Sequence, residues 1–459
     1  PWLLQAARAF ESAKKPELAL NCLKSVFTNE PTDARTFALR ARLREQTGDF
    51  AGETADLVRS WALDPDDLKV GGRLVQSRIS EGRFTEALTL VTQLLDSSEP
   101  QPAELLKIRA SIFTRLKRTD DAISDYTQLV SFASHRTDAL QERARLQIEA
   151  RRWTEAIEDV TELLKTQPTN WEFLVQRAKA YEETGQSHRA ITDWSYATKL
   201  RPNDAGLLYQ RACLEEMLEQ NTIAEQHFTR VRELDPQHAG ALEHLAQLAL
   251  ENDDFAQVLT LLREIPIGYS NAATLYFIRA SASFEQHDQA LAVIDTSQAL
   301  QIDAAHVASL LLRSRIRLRL GKADEALDDI NQALGSSTAT AEMYELRGLA
   351  KEGQGQRQEA LDDYSLAISL DPHVTTSRMA RGVLRMASNN IEGAIEDAGA
   401  VLQIRPNHYE ARQLRANALF AQNEFAAALK DLNVLLETRA LFSENNELLW
   451  KRYQCRIET

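Results

Sequence analysis

This chain of 459 residues encodes an all-α solenoid, and three observations predict it. Small residues, glycines and prolines return in the same order every 34 residues. No stretch alternates apolar and polar residues as a strand would. The chain holds only 17 Gly, with 44% hydrophobic and 26% charged residues, the composition of a folded helical protein. The plan is clearest in residues 171–204, WEFLVQRAKAYEETGQSHRAITDWSYATKLRPND, with Ala178, Gly185, Ala190, Trp194 and Pro202. Residues 205–238 return Ala212, Ala224, Phe228 and Pro236, and residues 137–170 return Ala144, Ala156 and Pro168.

In order, frames begin near residues 0, 34, 68, 103, 137, 171, 205, 239, 273, 307, 341, 375 and 409, giving thirteen units and one extra residue near Pro100–Pro102. Position 8 is small in nearly every unit, as at Ala41, Ala110, Ala280, Ser314, Gly348 and Gly382. Position 20 is Ala except at Glu53 and Val258. Gly48, Gly82, Gly185, Gly321 and Gly355 hold position 15, and prolines such as Pro31, Pro65, Pro372 and Pro406 hold position 32. The Gly closes a first helix in the left-handed conformation that helix ends favour. The Pro closes a second, because it lacks a donor and disfavours helix at the residue before it. Each unit is then two helices of about 13 residues whose small residues allow axes at the close end of the usual ~8–10 Å range. One hairpin cannot bury its apolar faces alone, so neighbours must stack.

The period and the small–Gly–small–Pro frame resemble the tetratricopeptide repeat. The resemblance covers residues 1–442, read as one continuous solenoid of thirteen units, with 443–459 as a capping helix or the start of a further unit. It implies a right-handed superhelix whose first helices line a concave groove for partner proteins.

Comparison of units within the chain exposes a coupled pair at positions 7 and 23. It reads Arg40/Asp56, Arg109/Asp125, Arg143/Asp159, Arg177/Asp193, Arg279/Asp295, Arg313/Asp329, Arg347/Asp363, Arg381/Asp397 and Arg415/Asp431. Two units change both members together, to Leu74/Leu90 and Leu245/Leu261. A joint switch from ionic to apolar is what direct contact between the two helices predicts. The arginines are therefore read as structural ion pairs, partly buried, rather than as a row of anion ligands. Arg211 meets His227 in its unit, which leaves it to Glu215 one turn on or to a ligand.

At ~100° per residue, positions 2, 5, 9 and 12 of a first helix fall on the face the family would turn to its groove. Early units place charge there: Arg35, Arg42, Lys107, Arg145, Lys179 and Glu182. From the ninth unit it becomes apolar: Phe277, Phe284, Leu311, Leu318, Leu349, Met379, Val383, Met386 and Phe420. An apolar stripe at helical spacing is ordinarily core. Here Leu310, Ile316, Tyr344 and Leu384 already fill core positions, which favours a hydrophobic groove for a peptide or helix. Relatives that grip a C-terminal carboxylate use Lys and Asn on adjacent first helices. Lys107 is followed by Ser111 where Asn would be needed, so that clamp is not expected.

The chemistry-bearing motifs are missing: the sequence has no Gly-rich phosphate loop, no H-E-x-x-H and no C-x-x-C. His238, His306, His373 and His408 fall between units and read as solvated loop residues. His238, Glu243 and His244 lack a third strong ligand. No cofactor and no metal is expected. The net charge of −14 disfavours nucleic acid or an anionic membrane as partner, and no apolar run reaches the ~18–20 residues of a membrane span. Cys22, Cys213 and Cys455 show no disulfide framework and leave the compartment open. The start at Pro1 reads as that of a fragment or processed form, with any targeting segment out of view. The expectation is a non-enzymatic scaffold that binds another protein or peptide. The rival is the targeting arm of a larger enzyme, such as a transferase or kinase, and a third reading is a self-associating spacer.

Overall fold

The computed structural model describes residues 2–27, 33–98, 102–266, 268–438 and 446–458, with Thr438 and Asn446 described by backbone alone. Pro31, Pro100 and the boundary between residues 442 and 443 lie outside the described residues. Among the described residues there are 27 α-helices and no strand. The chain forms two compact units, Pro1–Gln220 and Asn221–Thr459.

In the first unit the helices pair as α1 (Trp2–Ser12) with α2 (Pro16–Phe27), α3 (Ala34–Thr47) with α4 (Phe50–Leu63), and α5 (Leu68–Ser80) with α6 (Phe84–Asp96). They continue as α7 (Ala103–Arg115) with α8 (Thr119–Leu129), α9 (Arg136–Glu149) with α10 (Trp153–Thr166), and α11 (Trp171–Glu183) with α12 (Ser187–Leu200), followed by α13 (Ala205–Met217). Polar caps start several first helices. Asn170, for example, accepts from the backbone N–H groups of Glu172 and Phe173 at 3.1 and 3.3 Å. The small residues at positions 8 and 20, such as Ala178 and Ala190, are fully buried. The core is shared between successive hairpins: one cluster joins Val75 on α5, Val91 on α6, Ile112 on α7, Tyr126 on α8 and Leu146 on α9. Each hairpin thus buries its faces against its neighbours.

The second unit holds α14 (Asn221–Leu234), α15 (Ala239–Glu251), α16 (Phe255–Leu261), α17 (Ala272–Glu285), α18 (Gln289–Ile302), α19 (Val307–Arg319) and α20 (Ala323–Ser336). It continues with α21 (Ala341–Gly353), α22 (Arg357–Leu370), α23 (Thr375–Ala387), α24 (Ile391–Ile404), α25 (Tyr409–Ala421), α26 (Phe425–Thr438) and α27 (Asn446–Glu458). First helices here touch one another directly, α15 with α17, α17 with α19, α19 with α21 and α23 with α25, whereas the second helices make no comparable contact. This unit therefore curves with its first helices inside. Gly348 stands where most units have Ala because a Cβ there would lie 2.7 Å from the Tyr364 ring.

Two local expectations are corrected. The left-handed turn at position 15 does not depend on glycine. Gly185 has φ +72°, but Lys14, Lys117, Arg151, Glu219, Asp253, His287, Asn389 and Asn423 adopt φ of 55–65° at the same position. Stacking on both sides fixes the hairpin and overrides the local preference. In the eighth repeat, α16 has seven residues rather than about 13, and Pro266 bars the full length at its far end. The segment that follows is tied back by the Tyr269 hydroxyl, which donates to Glu243 at 2.6 Å.

Candidate functional site

All nine predicted Arg and Asp partners meet, each in the same two-pronged geometry. The Arg Nε and Nη2 donate to the two oxygens of the carboxylate at 2.5–3.0 Å, from Arg40 on Asp56 to Arg415 on Asp431. The pairs are partly buried, as expected, and burial is not shared evenly within each. Asp56, Asp125, Asp159, Asp193, Asp295, Asp329, Asp363, Asp397 and Asp431 are buried. Arg109, Arg143 and Arg279, which hold Asp125, Asp159 and Asp295, keep one edge open, as do the other six arginines. The physical reason is reach: the short aspartate ends inside the hairpin, whereas the long arginine runs from the surface inward. These carboxylates are accordingly closed to any ligand and belong to the fold.

The bond to Asp193 pushes the Arg177 guanidinium above the ordinary arginine value, against desolvation; Arg109, Arg279, Arg347 and Arg415 behave alike. Leu74 and Leu90 pack in one apolar cluster in the third repeat, while Leu245 is buried and Leu261 packs against the core around Leu242 and Ala246 in the eighth. Arg211 donates to Glu215 at 2.9 Å and to Thr198 at 3.1 Å.

Sequence comparison missed two further partners of this ladder. A cation at position 11 reaches the same aspartate in four repeats: Arg44 on Asp56 at 2.8 Å, Arg317 on Asp329 at 2.5 Å, Lys351 on Asp363 at 2.8 Å and Arg385 on Asp397 at 2.9 Å. The remaining Arg nitrogen crosses to the preceding repeat, where it donates to Thr127 from Arg143, Thr161 from Arg177, Ser297 from Arg313 and Ser365 from Arg381, at 3.0–3.2 Å. The signal was present as a Ser or Thr at position 25, but only inter-repeat geometry gives it meaning.

Three of the four inter-repeat histidines are not simple solvated loop residues. His238, His306 and His408 are half-buried N-caps whose side chains accept from the backbone N–H groups of Ala241, Ser309 and Ala411; His373 is exposed. Burial holds His306 below the ordinary histidine value, with the Asp303 charge opposing. His244 stacks on Phe228 with ring centroids 4.7 Å apart, and no group of three or more metal-ligating side chains converges among the described residues.

Residues 73–136, 142–205, 311–375 and 379–441, more than half of the chain, match the tetratricopeptide repeat family. The chain is a tetratricopeptide-repeat protein. No curated protein matches it. Among solved structures, the tetratricopeptide chain is similar to one in the APC/C hetero-tetramer Cut9–Hcn1, with 13% identity over 91% of this chain and 96% of that one and a TM-score of 0.42. It is similar to one in the structure of Naa15/Naa10 bound to HypK-THB, with 12% identity over 100% of this chain and 77% of that one and a TM-score of 0.46. It is also similar to MamA, with 22% identity over 34% of this chain and 92% of that one and a TM-score of 0.33.

On the first-helix face of the tetratricopeptide array, three of the six early charges, Arg42, Lys107 and Arg145, are held in ion pairs. Arg42 meets Glu11 at 3.0 Å, Lys107 meets Asp138 at 3.1 Å, and Arg145 bridges Glu142 and Glu149. The later apolar residues divide into three groups. Leu349 and Val383 are exposed, at 39% and 48%. Phe277, Leu311, Leu318, Met379, Met386 and Phe420 are half-buried. Leu311 and Leu318 lean on Ile330 and Leu346, Met379 on Val401 and Ala411, and Phe420 on Phe425 and Trp450. Phe284 is a correction: at 4% exposure it belongs to the core with Ala280, Leu312 and Ile316, because position 12 also points toward the next first helix. Tyr344, expected in the core, is half-buried beside Arg347, and Met343 fills that place instead. Between α17 and α19 lies an open cavity of about 460 Å³ with Phe277, Phe284, Leu311 and Leu312 in its walls and Ser281, Glu285, Arg315 and Glu342 around it. The Arg319 guanidinium carbon lies over the Phe284 ring, 4.2 Å from its centroid.

Proposed function

We propose that this chain is a protein-interaction scaffold that holds a partner polypeptide against the first helices of residues 221–459. Binding partners on extended concave surfaces is the usual role of such solenoids. One observation carries the choice of surface: Leu349 and Val383 stand exposed on successive first helices beyond an apolar cavity, where the first unit offers charged side chains such as Arg42 and Lys107. Exposed aliphatic side chains aligned on an inner curve lower the cost of docking an apolar face. In this reading the chain does no chemistry of its own, and its buried carboxylates serve the fold. No helix among the described residues is long and apolar enough to cross a membrane.

The experiment is capture of partners by the intact chain, identified by mass spectrometry and repeated with Leu349→Ser/Val383→Ser. A partner retained equally by both proteins binds elsewhere. A partner lost from the variant, with helicity unchanged by circular dichroism, binds this face.

A further inference from the structure

The charges around the apolar stripe define the chemistry of its occupant. Across positions 2, 5, 9 and 12 of α17, α19, α21, α23 and α25, with the adjoining position 13, stand five carboxylates, Glu285, Glu342, Glu345, Glu352 and Glu410, against two cations, Arg315 and Arg319. Arg315 is engaged with Glu342, and Arg319 is laid over Phe284. Glu285, at the mouth of the cavity, is exposed and carries no ion pair among the described residues. Glu345 accepts from the hydroxyls of Thr376 and Ser377 at 2.5 and 2.8 Å, and Glu352 accepts from the Tyr364 hydroxyl at 2.8 Å. Those bonds orient the two carboxylates without neutralising them. The stripe is thus an apolar floor with a net negative rim, in a chain whose net charge is −14.

Spacing selects the conformation of the occupant. The first helices α17, α19 and α21 touch in succession, and packed helices lie roughly 8–10 Å apart, so the steps from the cavity between α17 and α19 to Leu349 on α21 are of about that size. Two turns of an α-helix rise about 11 Å and return a side chain to nearly the same face, whereas same-face residues of an extended strand recur every ~6.6 Å.

We infer that this face receives a basic amphipathic helix, with one large apolar side chain in the Phe277–Leu311 cavity, further apolar residues over Leu349 and Val383, and Lys or Arg residues toward Glu285, Glu345 and Glu352. The inference rests on the groove reading above and adds the partner's charge and fold. An acidic peptide would be repelled by the rim, and the cavity of about 460 Å³ has room for an aromatic or long aliphatic side chain.

The test uses the full chain and three fluorescein-labelled probes of about 20 residues, long enough to cross three first helices. One is a Leu–Lys peptide with its leucines on one helical face, the second the same pattern in Leu–Glu, and the third a Leu–Lys peptide of equal composition with the pattern scrambled. Fluorescence anisotropy should show the patterned Leu–Lys probe binding at least about tenfold more tightly than either of the others. Leu349→Ser/Val383→Ser and Glu285→Gln should each weaken it several-fold, with helicity retained. Tight Leu–Glu binding that is still lost in Leu349→Ser/Val383→Ser overturns the basic-partner inference and leaves the groove in place. Leu–Lys binding indifferent to all these substitutions overturns both, because it is then diffuse attraction to an acidic protein. Equal binding of the scrambled probe overturns the amphipathic helix, and binding of no probe overturns the inference as a whole.

Discussion

Arg177 holds Asp193 through two hydrogen bonds of 2.7 and 2.8 Å and sends its third nitrogen to Thr161 of the preceding repeat at 3.1 Å. One side chain thus closes its own hairpin and ties that hairpin to its neighbour. Asp193 is almost wholly buried while Arg177 keeps an open edge, so loss of either alone should cost roughly 2–4 kcal/mol, between the exposed and fully buried limits. Arg177→Leu with Asp193→Leu should recover most of that loss, since the third repeat packs Leu74 against Leu90 at the same two positions. Native-state hydrogen exchange at α11 and α12 reads the local free energy. Additive losses in the double-mutant cycle would show that the pair does not act as a unit.

The left-handed turns make a second prediction. Arg151 sits at φ +57°, where a Cβ crowds the following carbonyl. Arg151→Gly should raise stability by up to about 1 kcal/mol, and Gly185→Ala should lower it by a similar amount. Thermal melts compare the two. A drop in melting temperature for Arg151→Gly would mean that contacts of the arginine outweigh its backbone strain.

His306 gives the chain a pH dependence of known sign. Its Nδ1 accepts the Ser309 backbone N–H at 3.3 Å, and burial lowers its affinity for a proton. The unfolded chain therefore binds the proton more readily, so stability is full above about pH 6.5 and declines as pH falls through that value toward the lower folded one. His306→Asn keeps a capping acceptor and should flatten that part of the profile. Melting temperatures of the two proteins between pH 5 and pH 8 should converge at the upper end and diverge at the lower; parallel curves would remove His306 from the account.

Phe284 and Leu349 should separate core from surface. Phe284→Ala removes a buried ring and should cost about 3–5 kcal/mol, less whatever α17 and α19 recover by closing the gap. Leu349→Ser touches an exposed side chain and should stay within about 0.5 kcal/mol. Chemical denaturation measures both. A large loss at Leu349 would place it in the fold and remove it from the binding face.

Much of this architecture was legible in one sequence because each repeat is a copy that can be compared with the others. Ala178 with Ala190 marked the helix approach, and Arg177 with Asp193 marked the contact, because the Leu pairs changed in step. The contact was legible at Asp125, Asp159 and Asp295 too, but the depth of those carboxylates was not, since depth depends on the neighbouring hairpins that cover them. What stayed hidden belongs to relations that no single repeat contains. Thr161 carries no mark of its link to Arg177, since a hydroxyl on a helix surface usually bonds its own backbone. Arg151 gives no sign of a left-handed turn, which tertiary stacking imposes. His306 looks like a loop residue until the backbone N–H it caps is located. On the candidate face, helical phase identified Leu349 and Val383 but could not tell Phe284 from them, because position 12 points partly to the groove and partly to the next helix.

The hydroxyls at Thr127, Thr161, Ser297 and Ser365 also set rules of succession. A hairpin cut out and spliced elsewhere would carry its own arginine and aspartate but leave behind the socket that received its third nitrogen. The repeats beginning at residues 341 and 409 follow neighbours with Asn331 and Gly399 at that position, and there Arg347 and Arg415 keep only their two bonds to aspartate among the described residues. Those two junctions therefore forfeit no such bond when a unit is exchanged or duplicated. Hairpins whose arginine bonds such a hydroxyl are committed to their predecessor, so the array has a grammar of order as well as a vocabulary of units, written in single oxygen atoms.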